Sequence, residues 1–451
     1  MVQPNKERVA VIGGGGREAA LIDKYLQSSH VASAIAIPGN DMMKIKQRKP
    51  VEIFPKLRTT DVKEIVKLCR EKKITLVDVA QDNAVHAGVV DALQRECIPT
   101  LGPTRLAGQI EWSKAFARMF GIIHDLPQPE FCIFGDNKTG IDYLKSTENK
   151  PRFIKVDELC EGKGALHADN TSRAIERINE LSKIQKNAKG FYLIEEWLKN
   201  SDGSDGEEFS TFVISDGERF VTLGSAQDHK RVNNFDTGEN TGGTGCSAPP
   251  LVLTAKIQDS IDIIFSKTID GLRAENKIYK GILYLGGILI KEKKGIKTYV
   301  VEFNARWGDP EAQVILPGIK NDLFELSMLA VEGNIKELKL RKDNKARVVI
   351  AGMAKGYPGN YDAVTGKQIF GLGKAMKMEG AKVYGAGVKI VDGKYYASGG
   401  RLFYIVGEGR DVIEARKRAY SAMALISIDG DNLHYRTDIG WRDVNRLIRK
   451  R

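Results

Sequence analysis

The first hundred residues alternate between two hydrophobic rhythms. Val9 to Ile12 is a continuous apolar run, the pattern of a strand buried on both faces, and Arg17 to Leu26 reads as a helix opened by Gly13-Gly-Gly-Gly16. Val31 to Ile37 predicts a second strand, closed by Pro38-Gly39-Asn40. Val62, Ile65, Val66 and Cys69 fall at i, i+3, i+4 and i+7, one face of a helix, with Asp61 placed as its N-cap. Ile74 to Ala80 is another buried strand. A helix over Asn83 to Arg95 follows it, with Val85, Val89, Val90 and Leu93 on one side. Strands alternating with helices imply a parallel, doubly wound α/β sheet whose ligands lie at the carboxyl ends of its strands.

After a helical connector, Thr104 to Phe120, the pattern changes to strands interrupted by glycine-rich loops, an α+β arrangement packed around a cleft. From residue 345 a third pattern begins. Val348 to Met353 and Leu402 to Val406 read as strands, and Arg410 to Ile426 as a helix with Val412, Ala415, Ala419, Met423 and Ile426 inward. A chain of 451 residues exceeds a single core. The division predicted is an N-terminal α/β domain over 1–110, a central α+β domain over 111–338 and a small α+β domain over 339–451.

Composition removes several classes of function. The 42% hydrophobic and 28% charged residues are ordinary for a water-soluble fold. The longest apolar runs, such as Ile282 to Ile290, are far short of a membrane span. Met1 leads into the first strand without an apolar signal region, so the protein is expected in the cytoplasm, away from membranes. Five scattered cysteines without a Cys-x-x-Cys pair argue against a disulfide framework or a zinc site. The net charge of +11 is dispersed and carries no nucleic-acid-binding signature, so small phosphorylated substrates are the expected beneficiaries of the positive field. The clusters Lys291 to Lys294 and Arg446 to Arg451 read as a hairpin turn and a solvated terminus. Nothing selects between a monomer and a small homo-oligomer.

Five segments carry candidate chemistry. Gly13 to Gly16 before a helix offers backbone N–H groups to an anion, although it is no dinucleotide fingerprint and a plain tight turn explains it equally well. Lys155 at a strand end, followed by Gly162-Lys163-Gly164, suits a polyphosphate under a glycine loop; no Ser or Thr follows the loop lysine, so it is not a Walker A motif. Tyr192 to Leu198 is an apolar strand ending in Glu195 and Glu196, whose backbone can read a base edge. Asp228-His-Lys-Arg231 places four ionisable residues together, and four glycines follow within the eight positions 238 to 245. Such a loop is costly in conformational entropy and typical of a functional site. Tyr299 to Glu311 begins as a strand whose alternation puts Glu302 and Asn304 on one face and Val301 and Phe303 on the other. Two hard oxygen ligands so placed suit Mg²⁺ shared with phosphates, with Arg306 meeting charge on the same substrate.

Together these segments resemble the ATP-grasp family, and within it the ligases that join glycine to phosphoribosylamine. The similarity includes Gly15-Gly-Arg-Glu18, Pro38-Gly-Asn40, Ser113-Lys-Ala-Phe116, the Lys155 to Gly164 loop, Gln227 to Arg231 with Asp236 to Gly245, and Glu302 to Glu311. Lys355-Gly-Tyr-Pro-Gly359, Gly399-Gly-Arg401 and Arg436 to Arg442 are similar to its C-terminal motifs. The resemblance implies a central ATP-grasp domain and use of ATP with Mg²⁺, or Mn²⁺ in its place, to convert glycine to glycyl phosphate, which the sugar amine attacks. It assigns Lys114, Lys155 and Gly162 to Gly164 to the ATP phosphates, Glu195 and Glu196 to the adenine hinge, and Glu208 to the ribose. Glu302 and Asn304 would hold the metal. Arg306, Asp228, His229 and Lys230 are the catalytic candidates. Gly15, Gly16, Arg17, Glu18, Asn40, Asn240, Thr241, Gly242, Gly243, Asp309 and Glu311 would border the substrates. The chain departs from the family at Ala19, at Ala80-Gln81-Asp82, at Glu158 and at Thr244, and carries an insertion between Leu198 and Asp205. A related ligase for another carboxylate and amine, or a non-catalytic nucleotide binder, are the competing readings.

Overall fold

The computed structural model describes residues 6–160, 164–181 and 190–450. The N-terminal region is a five-stranded parallel sheet in the order Val51–Ile53, Val31–Pro38, Glu7–Gly13, Leu76–Val79, Thr100–Leu101. The helix Gly16–Tyr25 covers one face and Val62–Glu71 and Val89–Arg95 the other, as the apolar runs require. Three details differ from the sequence reading. Asp61 does not cap its helix, because Arg58 takes its carboxylate through backbone N–H (2.8 Å) and Nε (2.9 Å). The helix expected over 83–95 breaks at Gly88, whose φ of +83° ends one helix and starts the next. The connector is likewise two helices, Gln109–Trp112 and Lys114–Ile123, divided at Ser113, whose hydroxyl caps the second by accepting from Phe116 N–H (3.1 Å).

The central region has two sheets. A small antiparallel one runs Phe131–Phe134, Tyr192–Glu196, Arg152–Val156, Ala165–Ala168, with the helices Asn137–Ser146 and Thr171–Glu180 packed on it. The large antiparallel sheet runs Gly295–Asn304, Lys280–Glu292, Glu207–Asp216, Phe220–Asp228, Gly245–Ala248, and then continues through Ala346–Ala354, Arg401–Gly409 and Ala381–Gly385. The short strand Gly245–Ala248 therefore stitches the C-terminal strands onto the central ones. The helix expected over 410–426 is Val412–Met423, capped by Asp411. The basic tail is a helix, Trp441–Lys450, rather than a loose terminus, because Arg446 pairs with Asp443 (2.7 Å) and with Glu207.

The metal-candidate strand does not alternate simply. Glu302 pairs with Gly286 and Val300 with Gly287, so Val301 is an extra residue in the register. This bulge turns Val301 toward the cleft beside Glu302, whereas Val300 and Phe303 enter the core. The insertion after Leu198 is also more structured than a polar loop suggests. Asn200 Oδ1 accepts from Lys291 N–H (2.8 Å), Ser201 N–H donates to Lys291 O (2.9 Å), and Lys199 Nζ stands 4.0 Å from the Trp197 ring centre. The loop is thus docked on the Lys291–Gly295 hairpin turn. Among the described residues no helix is long and apolar enough to cross a membrane.

Candidate active site

A cleft of about 510 Å³ opens where the N-terminal loop, the two central sheets and the C-terminal strands meet. Lys114, at the first turn of its helix, donates to Glu158 O (3.3 Å) and lines it. Lys155 enters from the small sheet, with Gly164 beside it, while Gly162 and Lys163 lie outside the described residues. Glu302, Asn304 and Arg306 come from the large sheet and the turn after it.

Glu195 is not available to an adenine through its side chain. It is buried and takes a two-pronged contact from Arg118 (Nε 2.7 Å, Nη2 2.9 Å) together with Lys155 Nζ at 2.7 Å. Burial alone would raise its pKa, but the two cations outweigh it and hold the carboxyl at about 2. Lys155 also shifts downward, because burial and Arg118 together outweigh the pull of Glu195 and of the more distant Glu302. The unequal shifts follow from one carboxylate serving two cations. Glu196 points out of the cleft toward Lys150 (3.8 Å), so this hinge can offer a base only its backbone.

Asp228 and Lys230 face the cleft, and alternation turns His229 away from it. His229 is fully buried: Nε2 accepts from Gly440 N–H (3.1 Å), which leaves Nδ1 to donate to Asp236 Oδ1 (3.3 Å). Burial pushes its pKa below the ordinary value against the pull of Asp236. Asp236 in turn receives Arg436 (2.7 Å) and Arg442 (2.6 Å), so the C-terminal Arg436 to Arg442 motif clamps the glycine loop through one carboxylate. His229, expected among the catalytic residues, is thus placed behind the cleft wall, with its ring nitrogens on Asp236 and Gly440. Thr244 belongs to the same unit, its hydroxyl donating to His229 O (2.7 Å).

Asp228 lies beside Glu311, and burial together with that neighbour raises its carboxyl well above the usual range. Glu311 accepts from Ser210 Oγ (3.0 Å). Lys230 spans Glu302 (3.6 Å) and Glu208 (3.7 Å), at distances that leave both carboxylates open to a competing cation. The Glu302 pKa falls to about 2: burial opposes the shift, but Lys230, Lys155 and Lys114 overcome it. The donor set suits Mg²⁺ in part. Among the described residues no group of three or more His, Cys, Asp or Glu side chains could hold a metal unaided, so Glu302 would need phosphate oxygens to complete a shell. Asn304 turns its amide nitrogen toward Glu302 (3.4 Å) and its oxygen toward Arg306 Nη2 (3.1 Å). Arg306 is further held by Glu111 (3.0 Å), with Asp82 at 4.0 Å. Burial lifts the Glu111 pKa to about 7, despite Arg306.

At the other end, Gly15 and Arg17 line the cleft with Gln81, Asp82, Asn240, Thr241, Gly242 and Asp309. The Gly15 N–H is already taken by Glu18 Oε2 (2.7 Å), whose Oε1 receives Arg17 Nε (2.6 Å) and Gln81 Nε2 (3.1 Å). The loop is thus organised around an internal carboxylate, and Glu18 is buried rather than presented. Gly16 is a close-approach position, where a Cβ would fall 2.2 Å from the Tyr404 ring. Gly243 has a φ of +112° and packs on Pro310. Asn40 spends its side chain on Gly14 O (2.8 Å), Gly385 O (3.0 Å) and Met42 N–H (3.0 Å), bridging chain ends instead of facing the cleft. Residue-by-residue reading passed over Arg401, which reaches Asp309 (2.9 Å) and Gly242 O (2.6 Å), and Tyr357 beside it. Their signal was the pair of glycine-rich C-terminal motifs that contain them.

Comparison with known proteins places this geometry. Family descriptions match in three consecutive pieces: phosphoribosylglycinamide synthetase N domain over 7–111, ATP-grasp (A) domain over 112–312 and C domain over 346–442. The chain is 37% identical to the phosphoribosylamine–glycine ligase of Salmonella typhimurium over 445 residues, covering 97% of this chain and 99% of the relative. Identity to the Haemophilus influenzae enzyme of that name is 36%, covering 98% and 100%. The crystal structure of Thermotoga maritima phosphoribosylamine–glycine ligase superposes with a TM-score of 0.79 at 27% identity, covering 96% of this chain and all of that one (100%). The biotin carboxylase domain of Hydrogenobacter thermophilus 2-oxoglutarate carboxylase, solved with MgADP, shares the fold at a TM-score of 0.69 and 16% identity, covering 95% and 91%.

Proposed function

The chain belongs to the phosphoribosylglycinamide synthetase family, and from that membership we propose how its cleft residues divide the work of the reaction. The protein is an ATP-dependent ligase of purine biosynthesis that joins glycine to phosphoribosylamine. A glycine carboxylate is a poor electrophile. One of its oxygens attacks the γ-phosphorus of ATP, the bond to ADP breaks, and glycyl phosphate forms. The sugar amine then attacks the carbonyl carbon, and phosphate leaves carrying the former carboxylate oxygen and accepting the amine's proton. Catalysis of this kind is mostly positioning and charge neutralisation.

Lys114 and Lys155 hold the ATP phosphates, the backbone of Glu195 to Leu198 receives the adenine, and Glu208 faces the ribose. A divalent cation, Mg²⁺ or Mn²⁺, brought in with the nucleotide would neutralise phosphate charge at Glu302 and Asn304. Arg306, oriented by Glu111 and Asn304, would meet the charge of the phosphoryl group in transfer. Asp228, Lys230, Glu311 and Asp309 border glycine and the amine, with Gly15, Arg17 and Asn240 to Gly242 at the sugar end. The enzyme works in the cytoplasm in this reading. The observation that carries it is the convergence of Lys114, Lys155, Glu302, Asn304 and Arg306 on one cleft. The test is ADP release with each substrate omitted in turn, phosphoribosylamine being generated in the assay. Release should need glycine and the amine together. Equal release without glycine, or full release with another amino acid and none with glycine, would overturn it.

A further inference from the structure

The residue that ties the cleft together lines its wall and belongs to none of the sequence motifs. Arg118 sits one turn after Lys114 on the helix Lys114–Ile123 and is buried to 4% exposure. Its guanidinium makes the fork on Glu195 described above, and its remaining N–H groups go to the bulged strand: Nη1 to Val300 O (3.2 Å) and Nη2 to Val301 O (2.8 Å). Val301 is the extra residue of the bulge and immediately precedes Glu302. The carboxylate at the other end of the fork holds Lys155 Nζ. A single planar group thereby fixes a phosphate lysine through Glu195 and the metal-candidate carboxylate through the bulge, and shares a helix with the second lysine.

We propose that Arg118 is a positioning residue that couples nucleotide binding to divalent-cation binding. The inference rests on the reading of Lys155 as a phosphate ligand and Glu302 as a metal ligand. An arginine suits the task because its rigid fork meets a carboxylate on one edge while its other N–H groups reach backbone oxygens. A lysine can neutralise Glu195, but one ammonium cannot also hold two carbonyls at the bulge. The bulge carbonyls would then be free to move, and Glu302 with them, while Lys155 keeps its anchor.

The experiment is calorimetric titration of the full chain with ADP, with and without Mg²⁺, which reads binding rather than turnover. In Arg118→Met, ADP affinity without metal and the further gain that Mg²⁺ gives should each fall by roughly tenfold, within the range seen when a coupling residue is removed. In Arg118→Lys, metal-free ADP affinity should stay within about twofold while the Mg²⁺ gain falls by roughly the same tenfold as in the Met variant. Arg118→Lys alone carries the test if the Met variant does not fold. An unchanged Mg²⁺ gain in folded Arg118→Lys, with only a lower melting temperature, would make Arg118 a packing residue and overturn the proposal. Lys155→Met and Glu302→Gln serve as controls. If they weaken ADP binding and the Mg²⁺ gain respectively while Arg118 variants do not, the coupling fails; if neither control responds, the reading of the cleft fails instead.

Discussion

Replacing Glu195 by glutamine keeps its shape and removes the one anion that faces both Arg118 and Lys155. The magnitude follows from the carboxyl itself, which drops from 4.5 to about 2 in a site that is 1% exposed. At ~1.4 kcal/mol per pH unit that drop corresponds to about 3 kcal/mol of folding free energy at neutral pH. Direct disruption of a buried pair gives a similar figure of ~3–5 kcal/mol, because two buried cations lose their partner. The sign is that of a depressed carboxylate: the stabilisation is complete above the ordinary value near 4.5 and is lost as pH falls toward 2. Glu195→Gln should therefore melt roughly 6 °C lower than the parent at pH 7.5, taking ~2 °C per kcal/mol for a large domain. The gap should stay level down to about pH 5 and narrow below it. Differential scanning fluorimetry across pH 3.5 to 8 measures it, at fixed ionic strength. A gap that is absent at pH 7.5, or that stays constant to the acid limit, would refute the assignment of that energy to the carboxylate.

Other outcomes follow from the same structure. Glu302→Gln should lower saturated turnover by roughly a hundredfold while shifting the ligand-free melting temperature by no more than ~2 °C, because its side chain is 40% exposed and solvent screening leaves its loose ion pair at most ~1 kcal/mol despite the depressed pKa; near-native turnover would remove Glu302 from the mechanism. His229→Ala strips partners from Gly440 N–H and Asp236, so unfolding should cost ~1–3 kcal/mol less while the KM for ATP holds. A His229→Ala protein with native melting and no turnover would return the imidazole to the chemistry. Asn200→Ala removes the link to Lys291 N–H and should cost ~1 kcal/mol with turnover intact, so a native melting curve would contradict the docking of the insertion.

Much of this architecture could be read from the residues, for identifiable reasons. The parallel sheet announced itself because strands buried on both faces read as apolar runs, as Val9 to Ile12 does; Leu76–Val79 keeps that pattern except at Asp78, which is buried with the rest of the strand. Lys114, Lys155, Glu302, Asn304 and Arg306 stand out in the sequence because they belong to short motifs, and the fold brings all five to one cleft. What escaped was anything set by distant partners. No local pattern says that Asp61 is claimed by Arg58, that Glu195 serves Arg118 and Lys155, or that His229 turns toward Gly440, more than two hundred residues along the chain. Nor does period-two alternation foresee a bulge at Val301, which depends on register with the neighbouring strand. Arg118 is the extreme case. It lies on a helix face that reads as ordinary amphipathic surface, and its importance exists only in the folded chain.

The central claim is that glycine is activated by phosphorylation at its carboxylate before the amine attacks. Glycine labelled with ¹⁸O in both carboxylate oxygens, supplied with ATP and phosphoribosylamine, tests it in a single turnover series read by mass spectrometry or ³¹P spectroscopy of the phosphate. Attack of a carboxylate oxygen on the γ-phosphorus, followed by loss of phosphate, must leave one ¹⁸O in each phosphate released and one in the amide product. Inorganic phosphate free of ¹⁸O, formed in step with the amide product, would contradict the account.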